Sequence, residues 1–186
     1  VFSDRLNTVS ERYSREIQTK EFGRGMEGLL TWRSRDLTGI LNGIDTDIWN
    51  PESDKYVAAS FSIDDLRGKQ TCRRALLKDQ KLPAKKNTPL VGIISRLDDQ
   101  KGFDLIEAAF PEIMALGVHM VVLGTGKPEY HEMLTTMAKT YPEQLAVNLT
   151  FDNALAHRIE AGADMFLMPS KFEPCGLNQM FSLRYG

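Results

Sequence analysis

Residues that could bind a charged sugar derivative follow four short apolar runs in the second half of the chain. The runs occupy 90–94, 118–123, 145–149 and 165–168, lengths that suit buried strands and are too short for core helices. The residues just beyond them that could contact a ligand are, in chain order, Arg96, Lys101, Gly124, Gly126, Phe151, Ser170 and Glu173. Cations favour phosphate, glycines allow close backbone approach, a ring can stack on a base, and a carboxylate accepts hydrogen bonds from hydroxyls. Together these residue types indicate a site for a sugar linked to a nucleoside diphosphate.

Each of these signals is weak when it is taken alone. An Arg and a Lys five residues apart are usually surface charges, and the Gly-Thr-Gly sequence at 124–126 lacks the full dinucleotide fingerprint. Phe151 could equally belong to the core, and Glu173 could be an exposed loop carboxylate. Their position at predicted strand ends strengthens the case, because ligands in open α/β sheets bind beyond the carboxyl ends of the strands.

The four apolar runs alternate with segments of helical character. Helices are predicted at 105–116, 128–141 and 153–161, the first and last ending at a glycine. This strand–helix alternation predicts a parallel sheet with right-handed crossovers. Before residue 90 the pattern is less regular: it predicts a strand within 1–9, a helix from Glu11 to Gln18 capped by Ser10, a strand at 37–41 and a helix at 64–80.

The last strand leads into a segment that predicts a ligand-binding turn. Apolar residues from Leu177 onward recur at helical spacing, and Pro174 suits the first turn of a helix. The free N–H groups and the dipole at a helix start favour oxygen-rich or anionic ligands. Gly176 leaves room for such a ligand to approach the backbone, and Glu173 precedes the turn.

Composition gives no sign of several classes of partner. With 25 acidic and 23 basic residues, the net charge of −2 gives no support for binding nucleic acid or an anionic membrane. No run approaches the ~18 apolar residues of a membrane helix, and the first residues do not form a signal peptide. Cys72 and Cys175 are far apart and lack metal-ligand spacing, which favours two reduced thiols.

Several segments, matching in order along nearly the whole chain, resemble the bacterial glycogen synthase and plant starch synthase family. The strongest is Ser-Lys-Phe-Glu-Pro-Cys-Gly-Leu-Asn-Gln at 170–179, followed by Arg-Tyr-Gly at 184–186. The others are 8–10, 39–45, 49–51, 95–97, 100–102, 156–158 and 161–164. An ordered set of matches is more specific than any one motif.

The resemblance implies an α/β protein of the GT-B type, in which a donor cleft lies between two Rossmann-like domains. It implies that 1–50 ends the N-terminal domain, 51–89 forms an interdomain linker and helix, and 90–186 is the first half of the C-terminal nucleotide-sugar-binding domain. The family's Lys-x-Gly-Gly donor loop is absent from the sequence, and the chain lacks an initiator Met. We therefore expect a fragment of a longer protein that is inactive alone.

The implied activity is transfer of glucose from ADP-glucose to the non-reducing end of an α-1,4-glucan, glycogen or starch, with retention of configuration. ADP-glucose would be a substrate, and no cofactor, metal, nucleic acid or membrane would be involved. The implied compartment is the cytoplasm in bacteria, or a plastid in a plant or alga.

The resemblance also assigns roles to particular residues. Arg96 and Lys101 would bind the diphosphate and stabilise the leaving group, and Glu173 would contact the donor glucose. Further substrate-binding residues would be Asn42, Gly124, Gly126, Phe151, His157, Ser170, Cys175, Gly176, Leu177 and Gln179. Related glycosyltransferases carry a second Glu eight residues after the first, where this chain has Phe181, with Gln179 nearby.

Three other interpretations remain open. Asp45-Thr46-Asp47 could hold Mg²⁺ or Mn²⁺, as in the other major glycosyltransferase fold, although the residues around it resemble the metal-independent synthases. The protein could be another GT-B transferase, such as a sucrose or sucrose-phosphate synthase. It could also be a catalytically silent glucan-binding module. His119 and His131 are expected to be structural or exposed.

Overall fold

The computed structural model describes residues 2–85 and 87–186, and it divides them into two compact units. The smaller unit contains the residues up to Ile44 together with Phe172–Leu177. The larger unit contains Asp45–Lys171 and Asn178–Gly186. The segment that carries Glu173 therefore belongs, by its contacts, with the beginning of the chain.

The smaller unit is built on two short parallel strands. Its elements are β1 (Leu6–Thr8), α1 (Glu11–Glu16), α2 (Glu27–Trp32) and β2 (Leu37–Gly39), and β1 pairs with β2 from Leu6↔Leu37 to Thr8↔Gly39. Ser10 caps α1, because its Oγ accepts a hydrogen bond from the Tyr13 N–H at 3.0 Å. The predicted cap is thus confirmed.

The larger unit is a four-stranded parallel sheet with helices on both faces. In chain order its elements are α3 (Arg67–Asp79), β3 (Leu90–Ile94), α4 (Phe103–Ala115), β4 (His119–Leu123), α5 (Pro128–Thr140), β5 (Leu145–Asn148), α6 (Asn153–Gly162), β6 (Met165–Phe166) and α7 (Asn178–Tyr185). The strand order is β5-β4-β3-β6, and every pairing is parallel. The predicted parallel α/β sheet is confirmed.

Successive residues of the central strands face opposite layers of helices. Val91 and Ile93 pack in one apolar cluster with residues of α4 and α5, whereas Leu90 packs in another with α3 and α6. This alternation follows from the two-residue repeat of a strand. Gly92 faces the second layer, where an added Cβ would lie 2.6 Å from a methyl group of Ile159. The central strands are buried on both faces, which is why they appear in the sequence as continuous apolar runs.

The predicted start of the last helix was wrong. The last helix begins at Asn178 and not near Pro174. Gly176 has a φ of +76°, in the left-handed region, so a right-handed helix cannot run through it. The backbone from Pro174 to Leu177 is therefore a loop, and the ligand-binding turn predicted there is not the first turn of a helix.

Residues on both sides of the expected boundary between 1–50 and 51–89 contribute to the core of the larger unit. Trp49 stacks on His157 and on Phe181, with ring centroids 3.8 Å apart in both cases. Asp54 Oδ2 lies 2.7 Å from His157 Nδ1 and accepts a hydrogen bond from the Tyr185 hydroxyl at 2.5 Å. Burial and the Asp54 hydrogen bond raise the pKa of Tyr185, which keeps the phenol protonated. The domain limits expected in a complete protein stay a prediction.

Glu160, on α6, is a buried carboxylate that should make stability depend on pH. It is 4% exposed, and burial raises its pKa from 4.5 to about 7, although the Ser182 hydroxyl, which donates to it at 2.8 Å, and Lys69 act in the opposite direction. Its other oxygen has no hydrogen-bond partner within residues 2–85 and 87–186.

We expect Glu160→Gln to remove a stability loss that develops as pH rises. A pKa that is higher in the folded state favours folding below 4.5 and loses that contribution as pH rises through about 7. Variant and wild type should therefore melt together at about pH 4, and the variant should be more stable at about pH 8 by at most about 3 kcal/mol. Thermal melts across this range test the prediction, with the exposed Glu143→Gln as control. Parallel curves for wild type and Glu160→Gln would contradict it.

Candidate functional site

The order of the strands makes the carboxyl end of β3 a topological switch point. The chain passes from β3 to β4 and on to β5 on one side, whereas β6 pairs with the other side of β3. Such a reversal of strand order is the usual ligand site of an open α/β sheet. Arg96 and Lys101 follow β3, and Ser170 follows β6. The structure thus brings these three predicted residues to the same edge of the sheet.

The loops after β3 and β4 are joined through their backbones. The Leu97 N–H donates to the Thr125 carbonyl at 3.0 Å, and the Lys127 N–H donates to the Leu97 carbonyl at 2.9 Å. A Cβ added to Gly124 would lie 1.9 Å from the carbonyl oxygen of Ser95, and a Cβ added to Gly126 would lie 2.2 Å from the carbonyl oxygen of Leu97. The two glycines are therefore required for one loop to pack on the other, whether or not a ligand also approaches them.

His131 supports the glycine loop, which is a structural role of the kind expected for it, and it was not predicted as a site residue. Its Nε2 accepts a hydrogen bond from the Gly126 N–H at 3.2 Å and lies 3.3 Å from the Thr125 hydroxyl. That N–H is already used within the protein. The only sequence signal was a histidine in the first turn of the helix after the glycines.

Lys101 ends a short 3₁₀ turn, Asp99–Lys101, that is fixed on several sides. The Asp98 side chain accepts from the Gln100 N–H at 3.2 Å, and the Gln100 carbonyl accepts from the Lys171 N–H at 2.9 Å. Gly102 closes the turn with a φ of +72°, and an added Cβ there would lie 2.1 Å from the Pro169 carbonyl oxygen. The loop after β6 therefore packs directly on the turn that carries Lys101.

The other predicted residues of this edge differ in exposure. Arg96 is exposed and Lys101 is half-buried. The Ser170 Oγ is buried and has no hydrogen-bond partner in the described part of the chain, so it could accept or donate a bond to a ligand or to water. Phe151 follows β5 and is 87% exposed, which excludes the alternative that it is a core residue.

Helix α7 starts at the same edge. The Asn178 side-chain amide donates to the carbonyl of Ile94, the last residue of β3, at 2.5 Å. Gln179 is the next residue and is exposed. Asn178 lies within the matched motif but was not predicted as a site residue, and its structural role is to attach the helix start to the end of the central strand.

His157 packs in the core of the larger unit. Its ring is fully buried between aromatic neighbours and contacts Asp54 through Nδ1, while its Nε2 has no partner among the residues that the structure describes. These contacts show that His157 is part of the core, and its substrate-binding role stays a prediction.

The remaining predicted residues belong to the smaller unit. There the Ser10 hydroxyl donates to the Pro174 carbonyl at 2.5 Å, and the Phe22 and Phe172 ring centroids are 5.1 Å apart. These contacts hold the loop that contains Glu173, Cys175 and Gly176, all half-buried, while Leu177 and Asn42 are exposed. Cys175 forms no disulfide bond with another described residue.

The possible metal motif, Asp45-Thr46-Asp47, forms hydrogen bonds to its own backbone. Oδ1 of Asp45 accepts hydrogen bonds from the N–H groups of Asp47 and Ile48, both at 3.0 Å, as in an Asx turn. Within 2–85 and 87–186, no group of three His, Cys, Asp or Glu residues is placed to hold a metal ion. None of the helices in these ranges is both long and apolar enough to span a membrane.

A parallel α/β sheet with helices on both faces and a reversal of strand order at β3 defines a Rossmann-like architecture. Residues 76–185 match the family described as "Glycosyl transferases group 1", and the chain belongs to that family. Residues 1–32 match a second model, "Starch synthase catalytic domain".

Along its whole length, the chain is also similar to individual glycogen and starch synthases. The chain is 52% identical to a glycogen synthase of Anaeromyxobacter sp. over 186 residues, covering 100% of this chain and 39% of that protein. It is 41% identical to the catalytic domain of starch synthase IV from Arabidopsis thaliana bound to ADP and acarbose, with a TM-score of 0.93 over 99% of this chain and 38% of that one. The α/β fold of the GT-B type is thereby confirmed. A sucrose-phosphate synthase from Thermosynechococcus elongatus, 16% identical with a TM-score of 0.60 over 99% of this chain and 39% of that one, shares the fold alone.

Proposed function

We propose that this chain is part of a glycogen or starch synthase that transfers glucose from ADP-glucose to the non-reducing 4-hydroxyl of an α-1,4-glucan, with retention of configuration. The observation that carries the proposal is identity of 52% with a glycogen synthase along the whole chain. The likeness to a starch synthase structure that holds ADP and acarbose supports both the donor and the glucan acceptor. The chain spans 39% of the length of that glycogen synthase, so the complete activity is a property we assign to the longer protein.

In this reaction, negative charge develops on the diphosphate as ADP leaves the anomeric carbon. Arg96 and Lys101 neutralise this charge, Arg96 through paired hydrogen bonds and Lys101 as a compact cation. Such fixed electrostatic stabilisation of a developing charge is usually a large catalytic effect. The support for these roles is their position at the switch point of the sheet and the fixed turn that carries Lys101.

The remaining residues bind the donor. Phe151 stacks on the adenine, the loop with Gly124 and Gly126 lies beside the nucleotide, and Ser170 binds the diphosphate or sugar. Glu173 accepts hydrogen bonds from the glucose hydroxyls. Binding contacts are also proposed for Asn42, His157, Cys175, Gly176, Leu177 and Gln179. ADP-glucose is a substrate here, and the proposal includes no cofactor or metal. The compartment that follows is the cytoplasm in bacteria, or a plastid in a plant or alga.

The proposal predicts that the full-length protein incorporates labelled glucose from ADP-glucose into glycogen. Parallel assays should compare ADP-glucose with UDP-glucose, and glycogen with fructose and fructose 6-phosphate as acceptors. An amylase specific for α-1,4 links should release the label. Transfer to fructose or its phosphate would identify a sucrose-type synthase instead. Glucan binding without transfer from either donor would identify a silent binding module.

A further inference from the structure

The carboxylate of Asp99 joins the turn that carries Lys101 to the loop after β4. Oδ1 accepts a hydrogen bond from the Tyr130 hydroxyl at 2.7 Å, and Oδ2 accepts one from Lys127 Nζ at 2.5 Å. Asp99 is the first residue of the turn that ends at Lys101. Lys127 and Tyr130 lie at the junction between the glycine loop and α5. Both oxygens of one side chain therefore connect the two loops of the proposed donor site.

The groups that hold Asp99 are themselves fixed. The Tyr130 ring is 9% exposed and packs against Phe103, with ring centroids 5.4 Å apart. Phe103 is buried and begins α4 immediately after Gly102. The core thus determines the position of the Tyr130 hydroxyl. The hydrogen bond from Lys127 lowers the pKa of Asp99, and the bond to Asp99 raises the pKa of Tyr130 to about 12. The carboxylate consequently stays charged, and the phenol stays a donor, at neutral pH.

A stabilising ion pair is the simpler interpretation of the same contact. The Asp99 and Lys127 side chains are 60% and 39% exposed, however, and exposed ion pairs contribute little to the stability of a fold. The ammonium of Lys127 is also committed to Asp99, and Glu129 lies 3.7 Å away. Lys127 is thereby directed away from serving as an additional phosphate ligand.

We propose that Asp99 is a positioning residue that holds the 99–101 turn so that Lys101 meets the diphosphate of the donor. The inference rests on the proposed function of Lys101. It adds a residue that touches neither substrate nor reacting atoms and acts through the geometry of a neighbouring cation. Misplacing a catalytic group by about 1 Å can cost ~100-fold in rate. The fold loses one exposed ion pair, which contributes little to stability, and one part-buried hydrogen bond.

The test uses Asp99→Ala and Asp99→Asn in the full-length enzyme. We expect Asp99→Ala to lower kcat by ~10–100-fold with a melting temperature close to wild type, because position and not folding is lost. Asp99→Asn keeps one acceptor for Tyr130 and should retain more activity. Glu143→Ala is the matched control: it removes an exposed ion pair with Lys85, 3.5 Å apart, just before β5 and so at the opposite edge of the sheet. It should leave kcat unchanged.

Calorimetry with ADP distinguishes positioning from a general structural effect. Asp99→Ala should weaken ADP binding by ~5–10-fold, yet add little to the loss caused by Lys101→Ala, since residues that act as one unit are not additive. Full additivity, or wild-type kcat and ADP affinity in Asp99→Ala, would overturn the inference. If Asp99→Ala fails to fold, Tyr130→Phe is the alternative, because it keeps the ring and removes only the hydrogen bond to Asp99. It should lower kcat and ADP affinity in the same way, but by smaller factors. Absence of glucan synthesis by the wild type would overturn the proposed function itself.

Discussion

Glu173→Ala in the full-length enzyme is expected to lower glucan elongation by at least ~100-fold while the fold stays intact. Glu173 lies in the loop 172–177, whose position depends on Pro174 and Phe172 and not on the Glu173 side chain alone. If its carboxylate accepts hydrogen bonds from the donor glucose as the bond to ADP breaks, its removal takes away an interaction used in the transition state. Turnover with ADP-glucose and glycogen, together with a thermal melt, measures both parts of the prediction.

Two further variants define what the carboxylate contributes. Glu173→Gln keeps hydrogen-bonding capacity without the charge, so residual activity in Gln above that in Ala would separate the two effects. Glu21→Ala removes an exposed carboxylate of the same unit and should be silent. Near-normal turnover by a folded Glu173→Ala enzyme would show that this residue does not serve the reaction.

The sheet could be predicted from the sequence because burial on both faces produces continuous apolar runs. Leu90–Ile94 was predicted with correct limits, and the predicted limits of β4 and β5 were wrong by one residue at one end. The start of α7 was predicted too early, because apolar spacing carries no information about backbone angles at Gly176. The left-handed φ of that glycine decides where the helix can begin.

Contacts between residues that are far apart in the sequence could not be predicted from the sequence pattern. Asp54 meets His157 and Tyr185, which are 103 and 131 residues away, and its segment appears in the sequence only as a polar linker. Strand ends alone pointed to Arg96 and Lys101. The same logic could not find Asp99 or His131, because their importance depends on which loops become neighbours when the sheet forms.

Arg96→Ala and Lys101→Ala are each expected to weaken binding of ADP as well as turnover, because the diphosphate is present in both donor and product. A charge-assisted hydrogen bond contributes ~1.5–3 kcal/mol, so each change should raise the Kd for ADP by ~10-fold or more.

Adenosine, which lacks the diphosphate, should bind the variants and the wild type equally. Lys85→Ala, an exposed cation placed before β3 at the amino edge, is the control and should bind ADP normally. Calorimetry at two salt concentrations adds a second criterion: direct contacts in a cleft persist at high salt, whereas long-range attraction is screened. Unchanged ADP affinity in both variants would return Arg96 and Lys101 to the class of ordinary surface charges, even if turnover fell.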